Sequence, residues 1–377
     1  AGAQIAANGF RAFFYSGSQH VDGTLEHTEA RSVGKAYEEL KRYEKYLTGR
    51  EVLADIAIIQ SDSSTMAKSG SRVVLNANGR VRQPDPHKEA LKGAMTLCDY
   101  AGYTWRIVPE QEMTKEEAGK YKGIILAGMF HVRDELKGVL ETFGRDGGFV
   151  LAAGECGLYE KDGRKRDNFA LHEMFGCDYK GAITDYSDQA YGGYLKMDDS
   201  RIFADMPETY PPMGRIQYRV SLTEGKGMGK IVSPCTPVTD TTWVNWWCPP
   251  PAEEALSDPA VVEHENCCYI AYDIFQTYEL NLNRNLFCGI LKAWIKTPSC
   301  YLKTPYKETV SCCVYSRPDG DDTEQIIHIV SNLAEKTNGD APKIRPGYLY
   351  LNRALAEGKV IRQVYPKKTR LKVTEED

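Results

Sequence analysis

Short apolar runs alternate with stretches of helical periodicity across residues 53–153 of the chain. The apolar runs predict strands at 53–61, 103–108, 123–127 and 149–153. Apolar positions at helical spacing predict helices at 88–100, 115–120 and 132–143. Strands that alternate with helices are joined by right-handed crossovers. The pattern therefore predicts an α/β fold with a parallel sheet that carries helices on both faces.

Polar segments interrupt this pattern, and its period changes near the end of the chain. Long loops are predicted at 61–85, 181–193 and 238–258. An apolar run at 267–275 predicts another buried strand, and 280–295 predicts a helix. After Pro298 the apolar positions recur with a period of two, which predicts a small antiparallel β-domain. Its strands are expected at 309–315, 325–330, 348–351, 360–365 and 370–373.

The first 50 residues contain a single predicted strand between two helical segments. Residues 1–9 predict the end of a helix, 11–16 a short strand and 28–47 a long amphipathic helix, with a polar loop at 17–23. A lone strand needs partners in a larger sheet. This segment resembles the last βα unit of a (β/α)8 barrel whose other units are absent.

Composition argues against several functional classes. The 377 residues carry a net charge of −5, which provides no broad attraction to nucleic acid or anionic membranes. No apolar stretch approaches the ~20 residues that span a bilayer. Because no GxGxxG or GxxxxGK[ST] motif occurs, no nucleotide cofactor is predicted. The chain has no CxxC motif, and His172-Glu173 does not extend to HExxH, so no metal site is predicted either.

The chain contains eleven cysteines. The odd number leaves at least one thiol unpaired within the chain, and a chain of this length needs no disulfide framework to stabilise its core. We therefore expect mostly reduced, buried cysteines. This favours a cytoplasmic location and leaves an exported form open.

The most informative local motif is the turn GECG at residues 154–157, directly after a predicted strand. The carboxyl ends of parallel strands display reactive side chains, so Glu155 and Cys156 are candidates, together with Asp273 on a later strand. A loop rather than a helix follows Cys156, so no helix N-terminus lowers the pKa of its thiol. We expect Cys156 to be inert. Glu155 and Asp273 are expected to cap loops, with sugar contact or subunit packing as the functional alternative.

The order of motifs along the chain resembles one family. The chain contains, in this order, ADIAII, HKEALKGAMTLCDYAGYTWRIVPE, YKGIILAGM, GGFVLAAGECGLYEKDGR, NFALHEMFG and SDPAVVEHE…CYIAYDIFQTY. Together these resemble the β-galactosidase trimerisation domain of modular glycoside hydrolases, which has a class I glutamine-amidotransferase-like fold. The resemblance implies a flavodoxin- or amidotransferase-like, Rossmann-like parallel sheet. In such enzymes a catalytic (β/α)8 barrel precedes this domain and a small β-domain follows it.

The resemblance implies three parts. Residues 1–50 correspond to the last βα unit of the barrel, 51–298 to the trimerisation domain, and 299–377 to the antiparallel β-domain. The family's two catalytic carboxylates lie on barrel strands that this chain does not contain, and glycoside hydrolysis needs both. The expected function is therefore that of the C-terminal part of a glycoside hydrolase, which oligomerises and frames the sugar site without being catalytic alone. The implied partners are further copies in a dimer or trimer, or a missing barrel segment, with carbohydrate as a ligand.

Two alternative functions stay open. In class I amidotransferases a Gly-x-Cys turn presents a cysteine that a His-x-Glu motif activates, which makes a Cys156-dependent amidohydrolase or amidotransferase one alternative. Residues 273–275 are Asp-Ile-Phe at the corresponding place, so that base is missing. The other alternative is a carbohydrate-binding module in which Trp243, Trp246 and Trp247 stack on sugar rings, although such a loop also packs at interfaces.

The barrel-like segment supplies a last set of candidates. Gln19, His20 and Asp22 lie in the polar loop after the predicted first strand. Loops at the carboxyl ends of barrel strands face the active site of (β/α)8 enzymes. These three residues are therefore sugar-binding candidates, with solvated loop positions as the alternative interpretation.

Overall fold

The computed structural model describes residues 20–68, 74–75, 81–82, 85–183, 193–214, 216–235, 250–305, 307, 310–317, 324–331, 348–357, 360–363 and 369–370. The chain divides into two compact units. The smaller comprises Ala1–Ala54, Gly102–Thr104 and Thr297–Asp377, and the larger comprises Asp55–Ala101 and Trp105–Lys296. The predicted elements at 1–9 and 11–16, Gln19 and the loop with Trp243, Trp246 and Trp247 lie outside the described residues.

The regular elements of the described residues follow in chain order. The helices are α1 (His27–Leu47), α2 (Asp62–Lys68), α3 (Pro86–Ala101), α4 (Lys115–Ala118), α5 (Asp134–Arg145), α6 (His172–Phe175), α7 (Asn281–Trp294) and α8 (Arg353–Ala356). The strands are β1 (Glu51–Leu53), β2 (Ile56–Gln60), β3 (Val74–Leu75), β4 (Val81–Arg82), β5 (Trp105–Pro109), β6 (Gly123–Leu126), β7 (Phe149–Ala153), β8 (Cys177–Ile183), β9 (Tyr194–Lys196), β10 (Gln217–Leu222), β11 (Lys226–Val232), β12 (Pro259–His264), β13 (Cys267–Ile270), β14 (Cys300–Lys303), β15 (Val310–Ser316), β16 (Ile326–Ser331), β17 (Tyr348–Leu351), β18 (Arg362–Gln363) and β19 (Thr369–Arg370).

An eight-stranded sheet forms the centre of the larger unit. Its spatial order is β5-β2-β6-β7-β13-β12-β11-β9. The first five strands are parallel to one another, and the last three extend the sheet in antiparallel pairs. The protein therefore has a mixed α/β fold with a large, mostly parallel sheet, as the alternation of strands and helices predicted.

The central strands are apolar throughout because both of their faces are covered. Every residue of β6 and β7 is buried. Successive side chains of a strand point to opposite faces, so continuous burial requires packed layers on each side. Helices supply such layers: α3 packs against β2 and α5 against β7. The carboxyl ends of these strands are therefore presented from a rigid core.

Two loop predictions in the larger unit were wrong. The segment 61–85 begins with α2, whose first turn is held because the Ser61 hydroxyl accepts a hydrogen bond from the Ser64 amide at 3.1 Å, as an N-cap residue does. Strand β8 extends into the loop predicted at 181–193. Strands β9, β10, β11 and β12 also had no counterpart in the sequence prediction.

The smaller unit is built mainly from antiparallel pairs. Strands β1, β15 and β16 form one sheet, and β14 pairs with β17. An apolar cluster packs in this unit, formed by Cys300, Leu302, Val310, Cys312 and Val314 with Leu53, Ile327, Leu349 and Leu351 around it. The strands predicted at 309–315, 325–330 and 348–351 are confirmed. The strand predicted at 53–61 is instead divided between β1 in this unit and β2 in the other.

No helix among the described residues is long and apolar enough to cross a bilayer. The assignment of the three sequence segments to a barrel unit, a trimerisation domain and a β-domain stays a prediction.

Candidate functional site

The GECG turn leaves the carboxyl end of β7 on two glycines with left-handed backbone. Gly154 has φ of 63° and Gly157 has φ of 71°. A Cβ added at Gly154 would lie 3.3 Å from Cβ of Asp273, and one added at Gly157 would lie 3.2 Å from the amide nitrogen of Ala170. Both the backbone conformation and the close approach favour glycine at these positions. The turn buries the side chain of Cys156 completely and leaves the side chain of Glu155 slightly exposed.

Cys156 is held as a protonated thiol. It is 1% exposed, and its burial, together with the nearby charge of Asp273, raises its pKa well above the usual range. An irregular loop follows the turn, as predicted, so no helix begins directly after Cys156. Nucleophilic cysteines need a substantial thiolate fraction near neutral pH. This environment therefore opposes nucleophilic catalysis by Cys156.

Glu155 anchors a cluster of charged and phenolic side chains. Its Oε2 lies 2.6 Å from Nζ of Lys68, and its Oε1 lies 3.4 Å from Nζ of Lys165 and accepts a 3.0 Å hydrogen bond from the hydroxyl of Tyr159. The side chain is 12% exposed. The prediction that Glu155 caps a loop through backbone amides was therefore wrong, because its carboxylate contacts side chains from α2 and from the loop after β7.

Asp273 does cap its loop, as predicted. Its Oδ1 accepts hydrogen bonds from the backbone amides of Phe275 at 3.1 Å and Gln276 at 3.3 Å. Burial raises its pKa to about 7, and although the two amides and Lys68 act in the opposite direction, the negative charge of Glu155 adds to the increase. Asp273 thus changes charge near neutral pH.

We expect the Asp273→Asn substitution to reduce the pH dependence of stability. The folded protein holds the Asp273 proton up to about pH 7, whereas the unfolded chain loses it near pH 4. Stability therefore falls as pH rises between these values. The amide oxygen of the substituted side chain would still accept the two backbone hydrogen bonds, so the variant should gain on the order of 2 kcal/mol relative to the wild type between pH 5 and pH 8.

Urea denaturation at pH 5 and pH 8 measures this difference directly. The matched control is Asp167→Asn, because Asp167 is exposed and its substitution should leave the pH dependence unchanged. An Asp273→Asn variant with the same fall in stability as the wild type would show that Asp273 titrates normally.

A second polar cluster lies where β2, β5 and β6 end, and sequence reasoning missed it. The amide of Ser61 donates to Nε2 of His87 at 2.9 Å, and Nδ1 of His87 lies 3.0 Å from the carbonyl oxygen of Gly128. Since Nε2 accepts, the proton is on Nδ1 and His87 is neutral. Burial lowers the pKa of His87 in agreement with this. His87 therefore ties the ends of β2 and β6 together.

Glu110 is the buried charge of this second cluster. It directly follows β5, and its Oε2 accepts hydrogen bonds from the hydroxyls of Ser61 at 2.8 Å and Ser63 at 3.3 Å. Its Oε1 accepts from the Arg133 amide at 3.2 Å and lies 3.4 Å from Nε of the same residue. Ser63 also contacts Nδ1 of His131 at 2.8 Å. Residues from three strand ends are thus joined in one network.

Two further sequence candidates lie among the described residues. His20 and Asp22 are exposed residues of the smaller unit, and Asp22 accepts hydrogen bonds from the amide and hydroxyl of Thr24 at 3.0 and 2.7 Å, which form a local turn. Within the described ranges, no group of three or more His, Cys, Asp or Glu side chains could hold a metal ion.

Comparisons with known proteins identify a shared fold. No family model and no curated protein matches the chain. Among solved structures, α-L-fucosidase isoenzyme 2 from Paenibacillus thiaminolyticus is similar with a TM-score of 0.65 and 19% identity, over 87% of this chain and 45% of that chain. This chain has the fold of part of a glycoside hydrolase. At this level of identity the likeness concerns the fold.

Two β-galactosidases extend the comparison. The cold-adapted enzyme from Rahnella sp. R3 has a TM-score of 0.58 and 14% identity, over 82% of this chain and 40% of that chain. The enzyme from Bacillus circulans sp. alkalophilus has a TM-score of 0.52 and 11% identity, over 78% of this chain and 40% of that chain. This chain therefore spans less than half the length of each enzyme.

Proposed function

We propose that this chain is the C-terminal part of a glycoside hydrolase and that it oligomerises and frames the sugar site rather than hydrolysing glycosides itself. The observation that carries the proposal is the fold shared with α-L-fucosidase over 87% of this chain and 45% of that chain. The ordered motifs that resemble modular glycoside hydrolases support it from the residues themselves. The missing part would be the barrel that carries the catalytic carboxylates.

The finer proposal concerns the larger unit, which we assign to a trimerisation domain with an amidotransferase-like sheet. Its five parallel strands follow one another in the chain as β2, β5, β6, β7 and β13, so their spatial order is second, first, third, fourth and fifth. This order supports the proposal of a flavodoxin-like, doubly wound sheet. The GECG turn after β7 supports the comparison with amidotransferases.

The chemistry of the strand ends supports a framing role. Cys156 is buried and protonated, Glu155 is ion-paired with Lys68 and Lys165, and Asp273 accepts two backbone hydrogen bonds. A retaining or inverting glycosidase needs two carboxyl groups that face the substrate. These two carboxyl groups are instead engaged within the protein.

Two measurements on the purified chain test the proposal. We expect no hydrolysis of 4-nitrophenyl α-L-fucoside or β-D-galactoside above background, and a dimer or trimer by mass photometry at micromolar concentration. Turnover that is lost in a Glu155→Gln variant would show that the chain is catalytic and would overturn the framing role. A strict monomer would overturn the role in oligomerisation.

A further inference from the structure

Two buried cysteines of the smaller unit lie side by side and have no role in the proposed function. Cys300 is the first residue of β14, and Cys312 is the third residue of β15. Cys300 is 1% exposed and Cys312 is 6% exposed. Their sulfur atoms lie 3.8 Å apart. The fold therefore brings together two thiols that are 12 residues apart in the chain.

The two cysteines lie on strands of different sheets. β14 pairs with β17, whereas β15 pairs with β1 and β16. Within the described residues, no strand pairing joins these two sheets. The apolar cluster that contains both cysteines has members on all five strands, so side-chain packing connects the sheets at this point. A covalent bond between the two sulfurs would add a link that the strand pairing does not provide.

The next residue of β15, Cys313, shows that the pairing is specific to Cys312. Successive side chains of a strand point to opposite faces. Cys312 is buried and belongs to the apolar cluster that also contains Cys300, whereas Cys313 is half-buried and is not a member of that cluster. The register of β15 therefore directs Cys312, and not its neighbour, toward Cys300.

The separation of the two sulfurs allows a disulfide to form. The sulfurs of a disulfide lie about 2 Å apart, so these two must approach by somewhat less than about 2 Å from their separation of 3.8 Å. A rotation about the Cα–Cβ bond of either cysteine moves its sulfur without moving the backbone. The resulting bond would close a loop in the unfolded chain and thereby stabilise the folded state.

We propose that Cys300 and Cys312 are an oxidation site, at which a peroxide forms a disulfide that staples β14 to β15. The Cys312 thiolate attacks one oxygen of hydrogen peroxide, the O–O bond breaks, and the released hydroxide takes up a proton and leaves as water. The product at Cys312 is a sulfenic acid. The Cys300 sulfur then attacks the Cys312 sulfur, the S–O bond breaks, and the hydroxide leaves as a second water with the Cys300 thiol proton. Two thiols are oxidised, and one peroxide is reduced to two waters.

The state of this pair depends on the surroundings of the chain. In a reducing compartment both thiols stay reduced, and in an oxidising compartment the disulfide persists. The site does not depend on the proposed function, because neither oligomerisation nor contact with a sugar enters the argument.

Peptide mapping of the folded wild-type chain tests the site. The chain is treated with hydrogen peroxide at neutral pH, blocked with N-ethylmaleimide in denaturant and digested with trypsin without a reductant. We expect the tryptic peptides 297–303 and 308–336, which contain the two cysteines, to be linked and to separate on addition of dithiothreitol. Oxidation of the exposed Cys235 shows that the peroxide has acted. If Cys235 is oxidised while peptide 297–303 carries only the maleimide, the proposal is overturned.

Two alanine variants identify the partner of Cys300 within peptide 308–336. Cys312→Ala should abolish the linked peptides, and Cys313→Ala should leave their yield unchanged. Alanine is small and apolar, so it suits a position where a cysteine packs as a small hydrophobic residue. Linked peptides that persist in Cys312→Ala, or that are lost in Cys313→Ala, would overturn the assignment. If Cys312→Ala does not fold, fragment ions that separate residues 312 and 313 in the linked wild-type peptide make the same distinction.

Urea denaturation tests whether the bond staples the two sheets. We expect the oxidised wild-type chain to unfold at a urea concentration about 0.5–1 M higher than the same chain after dithiothreitol, because the closed loop restricts the unfolded state. A Cys300→Ala variant that is oxidised and reduced in the same way should show no such difference. Linked peptides together with an unchanged midpoint would overturn the stapling role.

Discussion

Replacement of Gly93 by alanine should lower the free energy of unfolding by about 3 kcal/mol or more. Gly93 lies in α3, where the helix approaches the segment after β13. A Cβ at this position would lie 1.8 Å from the carbonyl oxygen of Phe275 and 2.7 Å from its carbonyl carbon. These are backbone atoms, so a side-chain rotation cannot relieve the overlap. The helix would have to move away from the core.

A second glycine provides a control variant that we expect to be more stable than the wild type. Gly138 lies inside α5, and an added Cβ there would have no heavy atom within 4 Å. Alanine has the higher helix propensity, so Gly138→Ala should raise stability by about 0.5–1 kcal/mol. Urea denaturation of both variants measures the contrast. Equal stability of Gly93→Ala and wild type would mean that α3 does not approach Phe275 as described.

Loss of the Glu110 carboxylate should also cost about 3 kcal/mol of stability. Its side chain is fully buried, and Glu110→Ala would remove the acceptor used by the Ser61 hydroxyl and the Arg133 amide. The Ser61 hydroxyl and the Arg133 amide would then face a cavity without an acceptor. A buried donor without an acceptor and a cavity left by a deleted side chain both lower stability.

The matched control for this variant is Glu112→Ala. Glu112 lies in the same short 3-10 turn after β5 but is exposed, so its loss should change stability by less than about 0.5 kcal/mol. Thermal and urea denaturation of the two variants compares them. Similar effects at both positions would show that the Glu110 network contributes no more than a surface charge.

Local patterns predicted the strands that are apolar throughout and the helices whose apolar residues recur at helical spacing. The strand at 149–153 and the helix at 280–295 match β7 and α7 closely, because long apolar runs and helical spacing are set within one segment. Strand β11, KGMGKIV, shows no such pattern. It is a strand of the sheet because β12 and β9 pair with its two edges. That pairing is a property of the assembled sheet, which a local pattern does not contain.

Residues of the candidate site could likewise be predicted only where a local pattern located them. Glu155 and Asp273 could be located because each follows an apolar run near a strand end. The partners of Glu155 could not, since Lys68 lies in a segment that was predicted as a loop. Glu110 and His131 offered a usable signal, because each closely follows a predicted parallel strand, and such strands end at one edge of the sheet. Their contact with serines after β2 required the strand order.

The route of the chain between the two units limits how the protein can be dissected. It passes between them after Ala54, after Ala101, after Thr104 and after Lys296. The segment Gly102–Thr104 belongs to the smaller unit. There Tyr103 forms a β-bridge with Tyr301, and the Gly102 carbonyl oxygen accepts a hydrogen bond from the amide of Leu302 at 3.1 Å. No contiguous fragment therefore contains one unit whole without part of the other. A cut after Ala54 would separate β1 from β15, and a cut after Lys296 would separate Gly102 from Leu302, so we expect neither fragment to fold independently.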